Sequence, residues 1–294
     1  MVREAADARA RAMSPIEDAV LCVGESERGP ELHALAGGTA CLYTARALGR
    51  ERTNEDAVAL IPFDEDSGVI AVADGVGGLP AGALAAGAAV QALQSTLAAS
   101  RERGQTLRSA ILDGIEHANH AVLESGIGAA ATFAVVEIEG LRMRPFHIGD
   151  CEILLMGQRG RLKLQTISHA PVAQAVDAGM LDREAAMHHA DRHLVSNVVG
   201  ATDMRIEMGS WRTIAARDTL VVASDGLCDN LRLDEIVARA RKGPLATIAR
   251  ELVAMAQARM RGHEIDAPSK PDDLSFVLFR PGRTPPRPAP GGSG

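Results

Sequence analysis

Two apolar runs in this chain end alike, on an aspartate followed by a glycine, and that repeated junction limits what the chain can fold into. In "SGVIAVADGVGG" the run Val69 to Ala73 meets Asp74 and Gly75; in "TLVVASDGLCDN" the run Val221 to Ala223 leads through Ser224 to Asp225 and Gly226. Each reads as a buried strand closed by a turn residue. A carboxylate at the end of a buried strand is costly unless something cationic meets it. The pattern extends further: "MRPFHIGDC" sets Asp150 after an apolar stretch and a glycine. "TNEDAVAL" sets Glu55 and Asp56 just ahead of a strand, and "PDDLSF" does the same with Asp272 and Asp273. Taken singly, Asp-Gly is a common turn and Asn-Glu-Asp an ordinary loop. Strand ends that converge, however, would bring these acids into mutual repulsion unless cations filled the space between them.

Around these acids the chain alternates short strand patterns with helical ones. "DAVALIPF" (56–63) and "GVIAVA" (68–73) read as a hairpin about "DEDSG". Residues 80–100 and 105–124 carry the Ala/Leu pattern of two helices broken at Gly104. A run of strands follows in "AATFAVVEIEG", "LRMRPFHIGD", "CEILLMG" and "RLKLQTIS", whereas "HLVSNVVGA" is ambiguous. Helices are expected near 233–241 and 244–262, and "DDLSFVLFR" closes the fold as a strand. Strict β–α–β–α alternation is missing, which excludes a doubly wound parallel sheet. The expectation is an α+β fold, a two-sheet antiparallel sandwich flanked by helices. Residues 1–39 read as a poorly patterned segment, with "GESERGPELHALAGG" as loop, 40–280 as the functional domain, and the Pro/Gly-rich 281–294 as a disordered tail.

Composition narrows the function. Hydrophobic residues make up 46% of the 294-residue chain, enough for a sizeable core, but aromatics only 2%, too few for a base-stacking surface. A formal net charge of −7 also argues against a phosphate-backbone binder, so no nucleic-acid partner is expected. Four cysteines, Cys22, Cys41, Cys151 and Cys228, form neither a zinc ribbon nor a disulfide scaffold, which fits a cytoplasmic protein. The first residues lack the apolar region of a signal peptide, and no run approaches a membrane span. Clustered carboxylates are hard oxygen donors and select magnesium or manganese over softer ions. Two such ions about 4 Å apart would activate a water and neutralise a phosphoryl group.

In order, "RTNEDA", "VADGVGG", "AAATF…HIGDC", "ASDGLCDNL" and "DDLSF" resemble the motifs of the metal-dependent serine/threonine protein phosphatases of type 2C, from about residue 40 to 280. Those motifs are roughly R-x-x-[NM]-[EQ]-D, D-G-[HMV]-G-G, G-T-T…G-D-S-R, S-D-G-L-x-D and D-[ND]-[IM]-[TS]. Each is weak alone; five in order are specific. The resemblance implies hydrolysis of phosphoserine and phosphothreonine in proteins by a metal-bridging hydroxide, with two Mn²⁺ or Mg²⁺ ions and a possible third. It implies that Asp74 bridges two metals, that the Gly75 carbonyl binds the second, and that Asp225 and Asp272 complete the first. Glu55 and Asp56 would hold metal-bound waters, and Asp150 would serve a third, weaker site. The implied partner is a phosphoprotein made by an opposing serine/threonine kinase, in a monomeric signalling enzyme. A non-catalytic phosphoprotein-binding relative and a hydrolase of small phosphorylated metabolites are the alternatives.

The chain departs from the pattern at several places. Glu51 stands where the family carries its phosphate-binding arginine, flanked by Arg50 and Arg52. If this segment is a strand, 50, 52 and 54 share a face and alternation cannot separate the two arginines. Arg52 lies two residues nearer the Glu55–Asp56 pair and is favoured. Val76 occupies the position of a histidine proposed as general acid in animal members, and cannot donate a proton. "GDCE" replaces Gly-Asp-Ser-Arg, Ser168 precedes His169 where an aspartate is frequent, and "DD" replaces Asp-Asn.

Other motifs carry less. "GVGGLPAG" is not G-x-G-x-x-G and has no P-loop lysine. His188, His189 and His193 in "MHHADRH" do not share one helix face, and they read as solvated members of a flap rather than zinc ligands. Ser224 lacks the G-x-S-x-G elbow of serine hydrolases. Cys151 and Cys228, each beside an acid, are expected as buried small hydrophobes with thiolate formation disfavoured.

Overall fold

A computed structural model describes residues 19–49, 51–76, 80–182, 185–186, 189, 191, 194–262 and 267–282. The first strands are β1 (Val20–Val23), β2 (Glu27–Leu35), β3 (Gly38–Ala45), β4 (Asp56–Pro62) and β5 (Ser67–Val76). Two helices, α1 (Pro80–Glu102) and α2 (Leu107–Glu124), flank Gly104. Strands β6 (Ala130–Glu139), β7 (Arg142–Ile148), β8 (Glu152–Met156) and β9 (Leu162–Gln165) precede the short helix α3 (Pro171–Asp177). Then come β10 (Glu207–Met208), β11 (Arg212–Thr213), β12 (Thr219–Ala223), α4 (Asp225–Cys228), α5 (Leu233–Ala240), α6 (Leu245–Met260) and β13 (Leu274–Arg280).

The strands form two antiparallel sheets, ordered β1-β4-β5-β6-β7-β10 (with β11 also on β7) and β2-β3-β13-β12-β8-β9. Period-two alternation divides each central strand between two cores. Ala57, Ala59, Ile61, Val69, Ala71 and Ala73 face α1 and α2, while Val58, Leu60, Ile70 and Val72 face the opposite sheet. The far side of the second sheet buries Tyr43, Leu154, Val221, Phe276 and Leu278 against α4 to α6. Helices therefore cover both outer faces of the sandwich. Because β4, β5 and β12 are buried on both sides, their sequences read as unbroken apolar runs. Nearly all the expected strands and helices are found, within a few residues of their expected bounds.

The reading of 24–38 as loop is overturned. These residues contribute β2, and β1 just precedes them; β1 pairs with β4 in one sheet and β2 with β3 in the other. β2 escaped detection because it is an edge strand whose exposed and half-buried side chains do not alternate, with a proline at 30 and a register shift between Arg28 and Glu31. Of the segment expected as a tail, Pro281 is buried and the Gly282 N–H donates to the Gly37 carbonyl at 3.1 Å, and 283–294 lie outside the described residues. The ambiguous "HLVSNVVGA" is irregular from 194 onward, with a single bridge between Val199 and Ala131.

One close approach fixes the acid-bearing ends. Gly226, in the first turn of α4, lies so near the segment before β13 that an added Cβ would stand 1.8 Å from the Asp273 carbonyl oxygen. Backbone packed on backbone cannot yield as a flexible side chain would. Gly226→Ala should therefore cost about 2 kcal/mol or more. A chemical-denaturation midpoint equal to wild type would contradict this packing.

Candidate active site

The acids singled out in the sequence meet at one end of the sandwich. Asp56 opens β4 and is the cross-strand partner of Asp74 near the end of β5. Asp150 follows β7, Asp225 follows β12, and Asp272 precedes β13. Burial pushes the Asp74 carboxyl well above the ordinary carboxylate range, and Asp225, Asp56, Asp150 and Asp272 add to the shift in that order. Asp56 is likewise raised, by burial and then by Asp273, although the Ser224 hydroxyl donates to its Oδ2 at 2.8 Å. Burial and Asp225 push Asp150 up to about 8. Asp225 is raised by burial and Asp229, with Lys270 opposing.

Loop residues hold these groups in place. Asn54 accepts a hydrogen bond from the Asp56 N–H at 3.0 Å and donates to Thr44 Oγ1 at 2.9 Å and the Glu25 carbonyl at 3.0 Å. The Gly75 N–H donates to the Glu55 carbonyl at 3.1 Å. A Cβ on Gly75 would stand 2.3 Å from the Gly82 backbone, and one on Gly82 would stand 2.8 Å from Glu55 Oε1. These glycines let the start of α1 lie directly on the strand end beside Glu55. Near Asp150, the Gly149 N–H donates to His169 Nδ1 and the His169 N–H donates back to the Gly149 carbonyl, both at 2.9 Å.

The two neighbouring aspartates before β13 do different things. Asp273 is buried, and its carboxylate accepts from the Ala47 N–H at 2.6 Å and the Glu55 N–H at 2.7 Å, bracing the segment ahead of β4. Asp272 instead faces cations: Lys270 Nζ lies 3.1 Å from its Oδ2 and Arg52 Nη2 lies 3.4 Å from its Oδ1. Arg52 also contacts the Glu55 carboxylate and lies 3.2 Å from Asp273 Oδ2. It gets there from an irregular segment, not a strand, so the alternation argument for 50, 52 and 54 does not apply; Glu51 is exposed, and Arg50 lies outside the described residues. Lys270, Asp229, Asn230 and the bracing role of Asp273 were not identified from the sequence. The lysine in "SKPDD" was the available signal.

The chemistry of the donor set suits a hard divalent ion. It consists of carboxylate and backbone carbonyl oxygens, and Asp150 Oδ1, Asp225 Oδ1 and Glu55 Oε1 are buried without a hydrogen-bond partner among the described residues. A second group of potential ligands, His147, His169 and Glu207, fits less well. His147 Nε2 lies 3.0 Å from the Ile167 carbonyl, so it carries a proton, and His169 Nδ1 accepts from Gly149, leaving the proton on the Nε2 that faces Glu207 at 3.1 Å. Both nitrogens facing Glu207 are thus donors. Of the "MHHADRH" histidines, His189 is exposed, while His188 and His193 lie outside the described residues. Cys151 is buried with its Sγ 3.1 Å from Thr132 Oγ1, and Cys228 is half-buried; burial, reinforced by the acids, pushes both thiols well up.

A pH dependence follows for the metal-free protein. The Asp150 carboxyl is raised to about 8 when folded, against roughly 3.9 when unfolded. The folded state therefore favours its protonated form, and this stability, present at low pH, is lost as pH rises toward 8. Chelator-treated protein should melt at a higher temperature at pH 5 than at pH 8, and Asp150→Asn should flatten that dependence. Equal slopes for the two proteins in thermal unfolding would contradict it.

The chain is similar to several known proteins. The protein phosphatase 2C family model matches residues 45–262, a span that stops short of Asp272. A Streptococcus pyogenes protein described as putative protein phosphatase 2C-type is 28% identical over 199 residues, covering 65% of this chain and 80% of that protein. The serine/threonine protein phosphatase PstP of Mycobacterium tuberculosis is 28% identical over 218 residues, 71% of this chain but only 40% of its own length. The crystal structure of the PstP catalytic domain with two manganese ions superposes with a TM-score of 0.62 at 25% identity, covering 82% of this chain and 96% of that one. With most of its length matched by the family model, this chain belongs to the protein phosphatase 2C family of metal-dependent serine/threonine protein phosphatases.

Proposed function

We propose that the acidic cluster is the catalytic centre and that it hydrolyses phosphoserine and phosphothreonine in proteins. The observation that supports this most is the convergence of Asp56, Asp74, Asp150, Asp225 and Asp272 into mutual repulsion at one end of the sandwich. In this reading Asp74, the Gly75 carbonyl, Asp225 and Asp272 hold two Mn²⁺ or Mg²⁺ ions, with Asp150 serving a third. Ions bound there would supply an activated water and positive charge to offset the phosphoryl oxygens. Glu55 and Asp56, braced by Asn54 and Asp273, orient water beside them. Arg52 grips the phosphoryl group, since its planar guanidinium can meet two oxygens at once and already lies against Glu55 and Asp272. Val76 offers no proton, so the leaving serine oxygen takes one from water.

For a protein substrate, an open groove beside Glu152 and Cys228, two and three residues along the chain from Asp150 and Asp225, offers an apolar lining of Leu162, Ile167, Val176, Leu233 and Val237. It has room for the residues around a phosphoserine. The same reading makes the protein a cytoplasmic, monomeric signalling enzyme opposing a serine/threonine kinase. Its free cysteines support a reducing compartment, and no described helix is long and apolar enough to cross a membrane.

Dephosphorylation of a phosphopeptide with Mn²⁺, with Mg²⁺ and with chelator tests the assignment. Turnover should require the ion. Binding without turnover would instead indicate a phosphoprotein-binding relative, and faster turnover of phosphorylated metabolites a metabolite hydrolase. Asp74→Asn should abolish turnover by several orders of magnitude while leaving the circular dichroism spectrum intact, because a neutral amide cannot bridge two dications. Retention of more than about a tenth of wild-type activity would count against the bridging role. Arg52→Ala should raise KM for phosphopeptide severalfold, with the Mn²⁺ requirement largely preserved; a wild-type KM would remove Arg52 from substrate binding.

A further inference from the structure

The acidic cluster contains a cation of its own. Lys270, two residues before Asp272, directs its ammonium into the group: it contacts the Asp225 carboxylate and lies 3.0 Å from Asp229 Oδ2 and 3.1 Å from Asp272 Oδ2. Three carboxylates around one ammonium match its three N–H donors. The main chain beneath it is clasped in place. The Lys270 N–H donates to Asn230 Oδ1 at 2.8 Å, and Asn230 Nδ2 donates to the Lys270 carbonyl and the Gly226 carbonyl, each at 2.9 Å. Asn230 is fully buried, so this suture ties Lys270 to the turn of α4 that carries Asp225 and Asp229. The lysine is built into the cluster, not draped over it.

We propose that Lys270 is an intramolecular competitor for the divalent ion, an inference that rests on the metal-binding reading above. Asp225 and Asp272 are the carboxylates assigned to one ion, and Lys270 occupies one oxygen of each. An ammonium and a dication sharing those oxygens would repel each other strongly. Ion binding therefore requires the ammonium to withdraw, and Asp229, which has no assigned ion, is the carboxylate left to keep it. Two effects follow. In the metal-free protein Lys270 offsets repulsion among the acids and keeps the strand ends together. In the metal-binding equilibrium the same contacts must be broken, so the apparent affinity is lowered. Arg52 brackets Asp272 from its other oxygen and otherwise pairs with Glu55 and Asp273, so displacement at Asp225 falls to Lys270.

The test is Mn²⁺ titration calorimetry on chelator-stripped protein, with thermal unfolding of the stripped and loaded forms. Lys270→Gln keeps most of the stem and removes the charge; Lys270→Met does the same without a polar head. Lys242→Ala, at an exposed lysine beyond α5, controls for net charge. Both Lys270 variants should bind Mn²⁺ about tenfold tighter than wild type. Their stripped forms should melt at lower temperature, and the gap should narrow once Mn²⁺ is bound. Mn²⁺ binding of equal or lower affinity in folded Lys270 variants overturns the inference alone. The same tightening in Lys242→Ala also overturns it, because net charge would then be the cause. No Mn²⁺ binding to wild type or to any variant overturns the metal-binding reading and the inference with it.

Discussion

Like-charge repulsion at one end of the sandwich is the constraint around which this structure is arranged. Carboxylates from β4, β5, the start of α4 and the segments beside β7 and β13 are brought together although burial disfavours their charged forms. The fold holds them there through neutral and oppositely charged supports. Asn54 and Asp273 brace the segment before β4, Ser224 caps Asp56, and His169 clasps the loop that carries Asp150. The stability that makes this possible comes from elsewhere, in the apolar layers between and outside the sheets.

The site's electrostatics are asymmetric. Asp225 and Asp272 have cationic neighbours in the protein itself, whereas Asp74 is surrounded by acids. Among the described residues Asp74 therefore has no cation of the protein to offset its neighbours, a need that the bridging role proposed for it would meet. The two sides also differ in construction. Asp56 and Asp74 sit on paired strands with fixed register, while Asp225, Asp229 and Lys270 hang on a turn and a loop joined through one asparagine.

Much of this was legible in the sequence because burial on both faces writes continuous apolar runs, and the acids end those runs. Val69 to Ala73 and Val221 to Ala223 could hardly be anything but interior strands. β2 was illegible for the opposite reason: an edge strand with exposed and half-buried side chains, an internal proline and a broken register leaves no periodicity to read. Arg52 was favoured over Arg50 because it lies two residues nearer the Glu55–Asp56 pair, a distance counted along a strand where the structure has an irregular segment; its neighbourhood depends on contacts with residues some 220 positions away, which spacing along the chain cannot express. The division of labour between Asp272 and Asp273 is similar. Adjacent identical residues are separated only by which one faces the loop before β4.

The alanine-lined seam between the first sheet and α1 has a mechanical consequence. Ala57, Ala59, Ala71 and Ala73 on the strands meet Ala85, Ala86 and Ala89 on the helix, all buried. Methyl groups have no rotamers to adjust, so this seam transmits displacement instead of absorbing it. The same helix begins where Gly82 rests on Gly75 and beside Glu55. Helix and strand thus act as a stiff lever, and a bulky group wedged among the alanines, well away from any carboxylate, would shift the backbone at the acids. Small residues here serve to set a distance, and the chemistry at the end of the sheet inherits its alignment from that spacing.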